Sequence, residues 1–331
     1  MRALITGGAG FIGSHLAEAL LAARNEVTII DDLSTGRFEN ISHLTGSSGF
    51  QFVAETITNE MITDRLIREC DVVFHLAAAV GVQLIVSDPV RVIETNIFGT
   101  HAILKIANRY RKKVLLASTS EIYGKGNHAP FKEDDDRLLG PTTRSRWCYS
   151  ASKGVDEFLG LAYWKEKALP VVIFRLFNTI GVRQTGHYGM VVPRFVGQAL
   201  RGEVISVYGD GQQSRCFCDV TDAVRAIMGL AACPEAVGEV FNIGSTSEIT
   251  IFELARRVQA LTGSKSEVVF VPYHKAYQEG FDDMRRRVPD ISKIHQVLGW
   301  IPSLSLDESL ERIIAFTRER IHDNRLFQRA V

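Results

Sequence analysis

A chain of 331 residues is long enough for one large domain or two smaller ones with a sizeable core. Its 38 Lys and Arg balance 38 Asp and Glu, so no basic face is implied and nucleic acid is not an expected partner. No apolar run reaches membrane-spanning length and the N-terminus goes directly into a strand, so neither a membrane nor a signal peptide is expected and the cytoplasm is the expected compartment.

Ala3-Leu4-Ile5 predicts a short strand ending at Thr6, followed by the turn Gly7-Gly8-Ala9-Gly10-Phe11-Ile12-Gly13. A helix is predicted over Ser14–Ala23, with Leu16, Ala19, Leu20 and Ala23 on one stripe. Strand, glycine turn and helix start together make an anion site, because glycines admit close approach and the helix supplies free N–H groups. A second strand, predicted over Glu26–Ile30, ends at Asp31. An acid there can accept both ribose hydroxyls and repels a 2′-phosphate, which favours NAD over NADP.

Further strands are predicted at Gln51–Ala54, Asp71–His75, Val114–Ala117 and Val171–Phe174. Helices are predicted between them at Glu60–Arg68, Pro89–Arg109 and Arg146–Lys167. That alternation predicts an α/β fold: a Rossmann-type doubly wound parallel sheet over residues 1–180. Beyond Gly181 the segments shorten, with turns at Tyr208-Gly209-Asp210-Gly211 and Ile301-Pro302-Ser303. Residues 181–331 are predicted to form a smaller cap with helices at Ile251–Leu261 and Leu306–Arg318. Segments near 217–243 are expected to return to the large domain. Lys132-Glu133-Asp134-Asp135-Asp136 is predicted as a solvated loop. The five cysteines show no disulfide-scaffold pattern, and Cys216-Phe217-Cys218 lacks a second ligand pair, so no metal is expected.

Tyr149 and Lys153 lie four apart on a predicted helix, hence on one face. An ammonium beside a phenol favours the phenolate, and such a phenol can take a proton from a sugar hydroxyl as hydride leaves the same carbon. Upstream, Ser118-Thr119-Ser120-Glu121 follows the fifth strand. Hydroxyls at that strand end can bond the reacting oxygen and relay its proton to Tyr149. Glu121 beside them is costly unless solvated, paired or protonated.

The glycine turn, Asp31, His75-Leu76-Ala77-Ala78, Ser118-Thr119-Ser120-Glu121 and Tyr149/Lys153 resemble the extended short-chain dehydrogenase/reductase superfamily. The resemblance covers nearly the whole chain, including Phe177-Asn178-Thr179 and Val192-Pro193-Arg194-Phe195. It implies a nucleotide-sugar epimerase, dehydratase or decarboxylase holding NAD tightly. The cofactor would lie on Gly7, Gly10, Phe11, Ile12, Gly13, Asp31, Leu76, Ala77 and Lys153. Where many relatives carry an adenine-binding Asp after the third strand, this chain has Glu55-Thr56-Ile57.

Thr119-Ser120-Glu121 with Arg146-Trp147-Cys148-Tyr149 is most similar to UDP-glucuronate decarboxylases and UDP-apiose synthases. That similarity implies catalytic roles for Tyr149, Lys153, Thr119, Ser120 and Glu121. It also implies Arg146 at the substrate carboxylate, and Asn178, Arg215 and Arg287 at the UDP phosphates. The implied reaction is decarboxylation of UDP-glucuronate to UDP-xylose or its 4-keto pentose, with a UDP-glucuronate or UDP-glucose 4-epimerase as the alternative. A 4,6-dehydratase is less expected because those relatives carry Asp where this chain has Ser120. A non-catalytic NAD sensor would not need Tyr149, Lys153 and Thr119 together. Relatives pair the helices at Pro89–Arg109 and Tyr149–Lys167 in a homodimer, with Ile93, Ile97, Leu161 and Trp164 as exposed apolar candidates.

Overall fold

Alternate residues of the first strand face opposite sides of a sheet, and both sides are apolar. In β1 (Arg2–Thr6), Ala3 and Ile5 pack with Leu16 and Leu20 of α1 (Phe11–Ala22). Leu4 packs on the other face with Ile103, Leu104 and Leu116. A strand buried on both faces belongs to a parallel sheet covered by helices. The computed structural model, which describes residues 1–126, 128–186, 189–276 and 284–329, contains that sheet.

After α1 come β2 (Glu26–Ile30), β3 (Phe50–Val53), α2 (Glu60–Glu69), β4 (Val72–His75), α3 (Val82–Ser87) and α4 (Pro89–Tyr110). They are followed by β5 (Lys113–Thr119), α5 (Cys148–Lys167) and β6 (Val171–Leu176). A seventh strand, Val240–Ile243, joins the outer edge of β6. The order is Val240–Ile243, β6, β5, β4, β1, β2, β3, and every neighbouring pair is parallel. α1 and the helix Val220–Ala232 cover one face, while α2, α4 and α5 cover the other. Strand order reverses between β1 and β4, and ligands of such sheets sit at the carboxyl ends beside that reversal. The glycine turn after β1, His75 to Ala77 after β4, and Ser118 to Glu121 at the end of β5 all lie on that edge.

α1 begins at Phe11, three residues before the predicted Ser14, because Gly10 serves as its N-cap. The later half builds a second core from Phe195, Val207, Leu254 and Leu310. Those residues belong to the helices Val191–Arg201, Ile251–Thr262 and Leu306–Arg329 and the strand Ile205–Tyr208. A small sheet of Glu248–Thr250, Ser214–Cys216 and Arg286–Arg287 sets Arg215 directly beside Arg287. No helix among the described residues is long and apolar enough to cross a membrane.

Candidate active site

Gly7 has φ of +70°, and a Cβ there would stand 2.7 Å from the amide nitrogen of Ala77. A Cβ on Gly13 would stand 2.5 Å from the carbonyl oxygen of Gly7. The turn therefore leaves no room for side chains and lets backbone come close to a ligand. Gly10 makes no side-chain cap and the first turn of α1 carries no acid, so the positive helix end is available to an anion. Asp31, buried at the end of β2, accepts from the amides of Ala9 at 2.9 Å and Leu33 at 2.8 Å. Burial raises its pKa against the lowering by those two amides.

These residues fit NAD: a closed glycine cradle and helix start for the pyrophosphate, and a fixed carboxylate for the ribose hydroxyls. After β3, Thr56 has its hydroxyl bonded to Thr58 at 3.0 Å, while Glu55 is turned to the Thr56 amide and Asn59. Asp31→Ala is expected to weaken NAD binding measured by titration of the cofactor-stripped protein. Tighter binding of NADP than NAD by the unmodified protein would overturn the assignment to ribose.

Tyr149 opens α5 and is buried against Ala79, Ile85 and Val92. The hydroxyl of Thr119, the last residue of β5, lies near the phenol and favours its ionised form. Burial first, and then the Glu121 carboxylate, push the Tyr149 pKa well up. The phenol thus stands above its ordinary value, where the neighbouring ammonium alone was expected to place it below. Lys153 is turned to Asp156, donating to its Oδ2 at 2.7 Å.

Glu121 resolves its own cost by pairing. Arg146 holds it with both terminal nitrogens, Nη2 donating to Oε1 at 2.7 Å and Nη1 bonding Oε2. Arg287 stands 3.7 Å from the same carboxylate and donates to Ser120 Oγ at 3.3 Å. Burial would raise the Glu121 pKa, but Arg146 and Arg287 outweigh it and the carboxyl is held below its usual value. Arg146, expected at a substrate carboxylate, thus grips Glu121 here, and its side chain is 2% exposed.

Glu121, Arg146, Asn178, Arg215 and Arg287 line one crevice between the sheet edge and the later half of the chain. Asn178 donates to the Cys216 carbonyl at 2.9 Å. Sequence reasoning did not single out Arg194, Tyr208 and Tyr273 as site residues, yet they line the same crevice, with the Arg194 guanidinium 3.8 Å from the Tyr208 ring centre. It also passed over Glu157, which pairs with Arg175 and accepts from Ser118 Oγ at 2.5 Å, and Asp156.

A parallel sheet with this strand order, a glycine cradle at its first turn and a Tyr-Lys pair beside a Thr at the fifth strand define an NAD-dependent enzyme of the extended short-chain dehydrogenase/reductase type. The chain belongs to the GDP-mannose 4,6 dehydratase family, whose model matches residues 4–313. It is 44% identical to the UDP-N-acetyl-alpha-D-glucosaminuronate decarboxylase of Bacillus cytotoxicus, across 97% of this chain and 99% of that one. It is 38% identical to UDP-glucuronic acid decarboxylase 1 of Danio rerio, across 97% of this chain and 74% of that one. Among solved structures, the UDP-glucuronic acid 4-epimerase of Bacillus cereus, in complex with UDP-glucuronic acid and NAD, matches with TM-score 0.86 and 31% identity. That match covers 97% of this chain and all of the epimerase.

Proposed function

We propose that the chain decarboxylates a UDP-linked uronate through a transient ketone at sugar C4. The observation that carries this is the Glu121–Arg146 pair. A cation locked onto a substrate carboxylate would stabilise the charge that decarboxylation must remove. Here Arg146 is already engaged by Glu121, and a fixed negative charge stands in the crevice instead. An enzyme that only inverts C4 has no need of that arrangement.

NAD, when bound, accepts a hydride from C4 and later returns it, so there is no net redox change. Tyr149 takes the C4 hydroxyl proton with Thr119 orienting the oxygen. The C4 ketone makes the uronate a β-keto acid, whose C5–C6 bond breaks to release carbon dioxide and leave an enolate. Hydrogen bonds from Thr119, Ser120 and Tyr149 stabilise that oxygen. Ser120, or a water held with Glu121, delivers a proton to C5, with Arg287 a second donor. Arg215, Arg287 and Asn178 serve the UDP phosphates. The cytoplasm remains the proposed compartment, in keeping with five free cysteines.

The test is incubation with UDP-glucuronate and, separately, with UDP-N-acetylglucosaminuronate, measuring carbon dioxide and identifying the sugar. Pentose and carbon dioxide are expected, and the better substrate of the two assigns the 2-substituent. A 4-epimerised uronate that keeps its carboxylate, without carbon dioxide, would sink this proposal and leave an epimerase.

We also propose a homodimer through α4 and α5. Val90, Ile93 and Phe98 on α4, with Val155, Phe158 and Trp164 on α5, are large apolar side chains left exposed. Ile97 and Leu161, expected in this surface, are half-buried, and Leu161 packs toward the sheet. Light scattering is expected to give twice the mass of one chain, and Phe158→Lys is expected to shift it toward monomer. A monomer throughout at micromolar concentration would exclude this surface as the interface.

A further inference from the structure

Lys153 does not stand alone behind Tyr149. Asp156, one turn along α5, receives its ammonium at 2.7 Å, and the two side chains are 3% and 0% exposed. Asp156 Oδ1 is buried without a bonded partner among the described residues. Thr100 of α4 lies beside this carboxylate, and its hydroxyl lowers the pKa that burial raises. The line continues across the sheet edge. Thr100 Oγ1 meets His75 Nε2 at 3.1 Å, and His75 Nδ1 meets Thr6 Oγ1 at 2.8 Å, beside the glycine turn. Burial holds His75 neutral, with its pKa pushed down to about 3.

One neutral tautomer fits the two bonds of His75: Thr6 donates to Nδ1 and Nε2–H donates to Thr100, which leaves the Thr100 hydrogen unused by the ring. Lys153 donates to the Asp156 carboxylate. The neighbouring Glu157 is differently committed, its two oxygens held by Arg175 and one of them also by Ser118.

We propose that Asp156 is a positioning residue for the tyrosine base: it fixes Lys153 in place and offsets part of the ammonium's field at the phenol. The inference rests on Tyr149 acting as the base at C4. Its reason lies in the proposed reaction itself. The phenol that takes the C4 proton during oxidation must return it during reduction. A lone ammonium would lower the proton affinity of Tyr149, making the phenol a stronger acid and the phenolate a weaker base, and a group that must both take and return the proton needs an intermediate proton affinity. The charged and titratable groups facing Tyr149 are Glu121 from the turn after β5, Arg146 from the segment before α5, and Lys153 and Asp156 from α5. Facing Asp156 are Lys153 and Glu157 on α5, with neutral His75 of β4 behind Thr100 of α4.

The test replaces Asp156 by Asn in the NAD-loaded protein and titrates Tyr149 by its phenolate absorbance, taken as the difference from the same background carrying Tyr149→Phe. Removing the carboxylate leaves Lys153's field on the phenol uncompensated, so the Tyr149 titration is expected to move down by about one pH unit. The limb of the pH profile for single-turnover NADH formation that reports the phenol is therefore expected to move toward acid. Asp156→Glu is expected to restore the profile, and Asp156→Ser removes the charge with a smaller group if Asn is not tolerated. A Tyr149 titration and profile unmoved in Asp156→Asn or Asp156→Ser, or moved toward base, would overturn the proposal even if the protein melts lower. NADH formation persisting in Tyr149→Phe would instead overturn the assignment of Tyr149 as base, and the two failures are distinguishable.

Discussion

Tyr149→Phe is expected to slow the first NADH formation about 10²- to 10⁴-fold while UDP-sugar binding stays nearly unchanged. The ring keeps its contacts with Ala79, Ile85 and Val92, so removing one oxygen does not open a cavity. The polar interaction with the Thr119 hydroxyl is lost, at a stability cost of at most about 1 kcal/mol, too little to unfold the helix. Mixing the loaded enzyme with substrate and following NADH absorbance reads the step directly, and calorimetry with UDP-sugar reads binding. NADH appearing at the unmodified rate would remove Tyr149 from the chemistry.

Glu121→Gln is expected to slow carbon dioxide release about 100-fold while changing the first NADH formation only a few-fold. The amide keeps the shape and can still accept one Arg146 N–H, but it removes the negative charge from the crevice. Arg146, already 2% exposed, then turns into a cation available to a substrate carboxylate, which stabilises the group that must leave. The variant is also expected to melt lower, because taking one partner from a buried ion pair costs up to about 3–5 kcal/mol. The double variant Glu121→Gln/Arg146→Met separates the two effects. Recovery of the melting temperature without recovery of carbon dioxide release assigns Glu121 to the chemistry. Equal slowing of both steps by the single variant would defeat that assignment.

The first half of the fold was legible because its signals are local. Ala3-Leu4-Ile5, the glycines at 7, 10 and 13, and Asp31 fall in one short stretch, each needed by the same turn. The start of α1 was missed because Gly10 caps without a side chain. The helix Val191–Arg201 was hidden by Pro193, yet a proline in the first helical turn loses no bond, since those amides have no intrahelical acceptor. The helix Leu306–Arg329 runs past the predicted Arg318 through residues too polar to show an apolar stripe.

In the crevice, the Tyr149/Lys153 spacing was readable because one helix turn sets it. The pairing of Arg146 with Glu121 was not, since 25 residues separate them and only the fold brings the segment before α5 to the end of β5. Asp156 lies within one turn of Lys153, but nothing in the sequence says that both adjacent acids turn inward or which of them meets the ammonium. Which apolar residues of α4 and α5 stay exposed depended on a single helical step of about 100°. Phe98 faces out where Ile97 was expected.

The strand Val240–Ile243 has a consequence for how the chain is made. It supplies the outer neighbour of β6, and bonds from Gly238 to Val171, Ile173 to Glu239 and Phe177 to Ile243 close that edge. A ribosome delivers it only after the helices Val191–Arg201 and Val220–Ala232 have been synthesised. Until then a nascent chain carries Val171-Val172-Ile173-Phe174 on an open edge, the kind of surface that recruits a strand from another molecule. A fragment cut near residue 180 would keep six of the seven strands and this bare edge. Such a fragment is expected to aggregate, and one carried through residue 243 to be markedly more soluble.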